Sequence, residues 1–416
     1  MLTAPYPGSP PAGRLAGVQG IDVRELYVTA LMLAAVSHQL WLCLLFTQAG
    51  LGGKSIVMAA EILILAAALP LLLRKLPLGF YLAIALLLAN AVGLALLRDS
   101  LDPKPLRDLL VPFVFLGVGL ALGGEERADR LLRRVVWLVL AFAAFEFFAV
   151  EQFTRLFDIQ SFYMARGVGD PQMGQYRPDK LVASAIRPEG IGRTLLPFLG
   201  PHRVSSIFAE PVSLGNFAVI CAAWGLAKDR AQWREAAFFV VAAVALLVLS
   251  DSRFGTLTIG LLVLLRLVLV RGAEPLLAVF PFLCAAALVV ISIATGGIYT
   301  DSIVGRLTLT GTTLMSMRGG ELFGFYKPIH GFFDMGYPYV LSNFGLLACL
   351  LLWGAFWLLP RANDTARRFH AYVAVYLVLI LCVSGTSAFA FKTSALLWFL
   401  LGTLLGGAQR ETGDAR

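Results

Sequence analysis

The chain has 416 residues, 58% of them hydrophobic and only 14% charged, with a mean hydropathy of +0.79. Soluble domains carry about a quarter charged residues, so this composition argues against a soluble enzyme, a nucleic-acid-binding module or a disordered scaffold. Lys and Arg number 34 against 26 Asp and Glu, a formal net charge of +8, and in a membrane protein such an excess first reports orientation.

Residues 1–26 form a Pro- and Gly-rich N-terminal segment. The first apolar run starts near Tyr27 and lacks a small-residue cleavage site, so a retained helix is expected rather than a signal peptide. About 20 apolar residues cross a bilayer as a helix, because the backbone must satisfy its own hydrogen bonds there. Such runs lie near 27–48, 55–73, 78–97, 107–123 and 133–152, giving five spans within 27–152. A long polar stretch follows at 153–205. Four more spans fall within 206–296, near 206–227, 234–250, 254–271 and 275–295. A second long stretch covers 297–335. Three last spans occupy 336–408, near 336–359, 370–387 and 390–408, before a tail at 409–416. The expected fold is all-α, a polytopic membrane protein of about twelve transmembrane helices with two long loops.

The basic residues set the orientation. With the N-terminus cytoplasmic, 18 Lys and Arg fall in inside segments and 6 in short outside ones, the other ten lying in the two long loops. Long loops are weak topology signals. Both termini are therefore expected in the cytoplasm and both loops outside. Cys43, Cys221, Cys284, Cys349 and Cys382 sit in apolar runs without a CxxC spacing, and read as packing residues. The four histidines are scattered, with no HxxxH or HExxH, so no metal site is expected.

Loops this long are usually functional or disordered. Both interleave aromatics with basic residues, the second carrying Arg306, Arg318 and Lys327. Aromatic faces suit sugar rings, and guanidinium forks suit phosphate oxygens. Anchoring among lipid headgroups is the competing reading.

Three motifs lie at the outer membrane edge. In the first, Arg203-Val-Ser-Ser-Ile-Phe208-Ala-Glu210-Pro211, a carboxylate stands at a span entrance, where ionisable groups are costly and mark function. A structural Arg–Glu pair is the alternative. The second, Ser250-Asp251-Ser252-Arg253-Phe-Gly255, is a charged hairpin between two spans, or equally an interfacial anchor. The third runs from Lys327 through His330 and Asp334 to Tyr337 and Gly345. His330 and Asp334 are candidate proton acceptors there, or a pair that only caps a helix.

Together these motifs resemble the O-antigen polymerase and ligase superfamily of lipid-linked glycan transferases. Its Arg-x-x-x-x-Phe-x-x-Pro motif is matched by Arg203, Phe208 and Pro211, and its Ser-Arg-x-Gly-like motif by Ser252, Arg253 and Gly255. Ligases carry a His-Asn pair eleven residues before a glycine. Here Asp334 and Met335 stand at that place before Gly345, which favours the polymerase branch, most like the xanthan-type exopolysaccharide polymerases.

The resemblance implies a GT-C-like architecture in the bacterial inner membrane, with the active site at the periplasmic face. The growing polysaccharide would pass from undecaprenyl pyrophosphate to the sugar of a newly flipped lipid-linked repeat unit. Donor and acceptor are both undecaprenyl-pyrophosphate-linked oligosaccharides. A flippase and a chain-length regulator would be pathway partners, and no cofactor is required. Arg203, Arg253 and Arg318 would stabilise the leaving pyrophosphate. Arg306, Lys327 and Tyr337 would contact substrate. Asp334 is the first choice of base, with Glu210 and His330 behind it. A glycan ligase is the nearest alternative. A lipid-linked oligosaccharide flippase or secondary transporter is the rival from another class, although the arginine motifs gather at one face rather than at the midplane. Glu61 and Glu146, deep in spans, fit none of these roles.

Overall fold

A computed structural model describes residues 22–73, 76–100, 102–167, 180–187, 192–300, 302–326, 332 and 335–413. Among these the chain is helical, with one isolated bridge, Ile186 to His202, and no strand. The first half holds α1 (Val23–Ala49), α2 (Lys54–Leu72), α3 (Leu78–Leu97), α4 (Pro103–Leu122), α5 (Glu125–Phe148), α6 (Val150–Leu156) and α7 (Ile159–Ala165). The second holds α8 (Pro211–Ala227), α9 (Trp233–Ser250), α10 (Arg253–Val268), α11 (Phe280–Ala294), α12 (Ile303–Ser316) and α13 (Gly319–Leu322). It ends with α14 (Gly336–Phe344), α15 (Leu346–Trp357), α16 (Asp364–Val383) and α17 (Phe391–Gly413).

The starts are chemically marked. The Asp22 carboxylate accepts the amides of Arg24 and Glu25 at the head of α1, and Asp102 accepts that of Lys104 before Pro103 opens α4. Each side chain satisfies amides that the first helical turn leaves unpaired. Among the described residues seven helices are long and apolar enough to cross a membrane, or nine if two sharply bent pairs each count as one span. Exposed Leu86, Leu96, Leu267 and Val290 ring the bundle, as lipid-facing positions do. This is a membrane-embedded, all-helical chain.

Each expected span overlaps a helix or a bent pair, but those at 206–227, 254–271 and 390–408 fall on α8, α10 and α17, which are not among the seven to nine that meet this measure. Three of the other expectations change. The stretch 336–359 is not one straight helix, since α14 and α15 meet at 106°. Gly345 makes that break with φ +81, and a Cβ there would sit 2.6 Å from the Phe323 carbonyl. The freed carbonyls find donors, Ser342 from Arg98 at 2.6 Å and Phe344 from Asn90 at 3.1 Å. A break at membrane depth requires such replacement partners. At the end of 133–152, α5 turns through 113° into α6 and α7. Aromatic packing folds it back, with Phe153 5.7 Å from Phe145 and 4.9 Å from Phe157.

The third change is in 297–335, expected as loop, where α12 packs antiparallel on α11. Ser292 and Thr312 hydroxyls meet at 2.6 Å, and Thr295 and Thr308 at 2.9 Å. Gly311 lets the two backbones touch at Leu288. Threonines read as loop in the sequence, yet Thr310, Thr312 and Thr313 each bond the carbonyl four residues back, so the helix keeps their hydroxyls satisfied.

The most extensive helix pairing among the described residues joins α4 to α17. A Cβ on Gly119 would lie 2.2 Å from the Phe399 carbonyl, and one on Gly402 2.2 Å from that of Leu116. Gly406 repeats the pattern one turn on, at 2.6 Å from Leu120. Small residues four apart let helices approach when no hydrophobic effect drives them together. Gly402→Val should therefore cost about 1–3 kcal/mol by overpacking. It should appear as a lower melting temperature and a smaller monodisperse fraction on size exclusion in detergent.

Candidate functional site

The site is built on the hairpin between α9 and α10. Asp251 adopts φ 45 and ψ 48, a left-handed turn that Asp tolerates better than most residues. Ser252 caps α10 by accepting the Gly255 amide at 3.1 Å. Gly255 must lack a side chain because a Cβ would lie 2.7 Å from Leu247. Gly215 on α8 has the same constraint, 2.4 Å from the Ser252 hydroxyl. These two close approaches bring the head of α8, with Glu210, to the same edge as Arg253.

Asp251 is fully buried and accepts the Arg187 Nε at 2.8 Å and the Thr194 and Leu195 amides at 2.9 and 2.8 Å. Arg187 also donates to the Asp251 carbonyl at 2.7 Å. Arg193 donates to the carbonyls of His202 and Val248. Arg203 donates through Nε to Ser250 at 2.9 Å and through Nη1 to Ser184 at 2.7 Å, both backbone carbonyls. Arg253 donates through Nε to the Thr194 hydroxyl at 2.8 Å. Four guanidinium groups thus surround one carboxylate.

The electrostatics follow from that count. Burial, and next the charge of Arg187, push Arg203 down to about 10; Asp251 opposes this, while Arg193 and Arg253 add to it. Burial lowers Arg193 as well. With four guanidinium groups and one carboxylate, the cluster carries three more positive charges than negative. Such a surplus in a partly dry site attracts an anion. Arg187, Arg193 and Arg203 are committed to backbone and to Asp251. Arg253 is different, because it is only half-buried and its two terminal amino groups hold no partner among the described residues.

Beside the cluster, the half-exposed Glu210 carboxylate accepts the Ser213 hydroxyl at 2.8 Å and lies 3.8 Å from the Lys392 ammonium. Lys392 is buried at the head of α17 and donates to the Phe208 carbonyl and to Gln39 at 3.2 Å. The turn that carries Glu210 is clamped from below. Glu146, wholly buried, accepts the amides of Ser205 at 2.9 Å and Ser206 at 2.6 Å, and faces His202 at 3.2 Å. The other deep acid, Glu61, accepts Arg107 at 2.6 Å, and Arg107 in turn holds Asp108, which accepts the Tyr339 hydroxyl at 2.6 Å. Both glutamates are explained by structural partners on distant helices.

Of the residues singled out in the sequence, Arg203 and Arg253 fall in one cluster, while Glu210 stands at the head of α8, whose Gly215 packs on Ser252 of the same hairpin. Arg318 stands apart and exposed at the head of α13, its amide donating to Glu321. Arg306 is half-buried on α12. Tyr337 is buried in α14, its hydroxyl 3.3 Å from the Pro281 carbonyl. Lys327, His330 and Asp334 lie outside the described residues. Sequence reasoning passed over Arg187, Arg193 and Lys392. Lys392 did leave a signal, as an ionisable residue in an apolar span; the two arginines looked like any other loop cations. Among the described residues no three His, Cys, Asp or Glu are placed to hold a metal ion.

No family model matches the chain, and no curated protein or solved structure matches it either. The chemistry must be read from the geometry itself. An anion-attracting cluster with one uncommitted guanidinium, next to a reachable carboxylate, suits a reaction with an anionic leaving group and a hydroxyl nucleophile.

Proposed function

We propose that the chain is a polymerase of lipid-linked oligosaccharide repeat units in bacterial exopolysaccharide biosynthesis. It would transfer the growing polysaccharide from undecaprenyl pyrophosphate to a new lipid-linked repeat unit at the periplasmic face of the inner membrane. The observation that carries this reading is the four-arginine cluster at Asp251, with Arg253 open to a ligand and Glu210 at the head of α8, the helix packed on that hairpin. The reading takes the twelve apolar segments as twelve spans, with both termini cytoplasmic.

On this reading Arg253 meets the leaving pyrophosphate as its charge grows, where preorganised donors in a dry site are most effective. Arg187, Arg193 and Arg203 raise the local potential and fix the backbone that holds Arg253. Glu210 takes the proton of the acceptor hydroxyl as it attacks the anomeric carbon, and the bond to the pyrophosphate oxygen breaks. One displacement of this kind inverts the anomeric centre.

A strain lacking the gene tests this through its lipid-linked material. Accumulated single repeat units outside the inner membrane are expected, with polymer restored by the wild-type gene. Glu210→Gln should restore about 10²-fold less polymer, the usual cost of losing a general base. Finished polymer left on its lipid would instead indicate a ligase, and repeat units trapped inside a flippase.

A further inference from the structure

The opposite end of the bundle holds a second basic site that the proposed chemistry does not use. A cavity of about 680 Å³ opens there between the end of α8, the head of α9, the end of α10 and the first turns of α16. Asp229, Arg230, Arg266, Leu267 and Arg368 line it. Arg368 is spoken for, donating to the Ala227 carbonyl at 2.8 Å and to Asp229. Among the described residues Arg266 makes one hydrogen bond, to the Lys228 carbonyl at 3.2 Å, and Arg230 makes none. Two guanidinium groups therefore face the cavity without a carboxylate of their own.

What borders the cavity identifies the ligand. Leu267 is 79% exposed, and Val268 and Val270 beside it are exposed too. Trp233, exposed at the head of α9, lies under Arg234, whose guanidinium is 5.6 Å from the ring centroid. Exposed aliphatic side chains on a membrane helix meet acyl chains, and tryptophan marks the headgroup level. A free phosphate would use the arginines and ignore the apolar wall. We propose that this cavity binds the phosphate of an anionic membrane phospholipid, with Arg230 and Arg266 on the headgroup and Leu267 and Val268 along the acyl chain. Basic pockets between membrane helices are suited to such headgroups. The bound lipid would tie together four helix ends that otherwise hold an uncompensated pair of cations.

The test uses the purified full-length protein in lipid nanodiscs, with bound lipid counted by native mass spectrometry and stability followed by thermal unfolding. Phosphatidylglycerol should be retained in preference to phosphatidylcholine and should raise the melting temperature. The double variant Arg230→Gln/Arg266→Gln should bind phosphatidylglycerol about 30-fold more weakly, from the loss of two cations near the membrane surface. Arg234→Gln, next to the cavity but not in its wall, should leave that affinity unchanged. If the double variant unfolds, the wild-type preference should still weaken as salt is raised. Equal retention of the two lipids would overturn the proposal, as would full phosphatidylglycerol binding by the double variant. So would inorganic phosphate that stabilises the protein as well as the lipid does.

Discussion

Replacing Arg253 with alanine should cut polymer synthesis about 10²–10³-fold, the typical cost of one donor to a developing oxyanion, while the protein still folds. The two halves of that statement rest on different atoms. Nη1 and Nη2 have no partner among the described residues, so their loss removes what they would do to a ligand. Nε makes a single hydrogen bond to Thr194, worth about 1 kcal/mol of stability. Arg253→Lys keeps the charge but not the planar fork, and should recover part of the activity. The measurement is polymer yield in the deletion strain, paired with the melting temperature of each purified variant. Full activity in Arg253→Ala would remove Arg253 from the site.

Asp251→Ala should have the reverse signature, a loss of stability of about 3–5 kcal/mol, as expected when a buried charge loses its partner. The carboxylate receives the Arg187 Nε and two backbone amides, and all three lose their acceptor in the variant, Arg187 keeping only its bond to the Asp251 carbonyl. The repulsion that Arg203 feels from Arg187, Arg193 and Arg253 then lacks the opposing charge of Asp251. Alanine is also poorly suited to φ 45, which adds strain. Asp251→Asn separates these effects, because Asn tolerates the turn and keeps one acceptor oxygen. Its stability should lie between those of wild type and alanine in thermal or chemical unfolding. An unaltered melting temperature in Asp251→Ala would mean that the cluster does not depend on its one carboxylate.

Apolar run length is a local property, and local properties are what a sequence displays. The apolar runs therefore pointed to where helices lie, though the starts of α5 and α16 come six to eight residues earlier than expected, and the Ser250-Asp251-Ser252-Arg253 hairpin stood out because charge interrupts two such runs. The partners of that hairpin did not stand out. Arg187 lies 64 residues from Asp251, and Arg193 lies 55 residues from Val248, so nothing in their own neighbourhood marks them. Glu61 and Glu146 looked functional for the same reason, since their partners Arg107 and the Ser205 and Ser206 amides come from other segments. The break at Gly345 and the helix at Ile303–Ser316 were hidden differently. One depends on a carbonyl contributed by Phe323, the other on threonines that a loop would use equally well.

The close seam between α4 and α17 also imposes an order in time. Gly119 and Gly402 are separated by roughly 280 residues, and at ribosomal speeds of about 5–20 residues per second the first waits on the order of 15–60 s for the second. Throughout that interval α4 sits in the membrane with its glycine face open to whichever helix emerges nearby. A chain stopped before α17 can never close the seam. Premature termination before α17 should therefore leave a substrate for membrane proteases rather than a shorter working protein, and α17 acts as the lock on this seam.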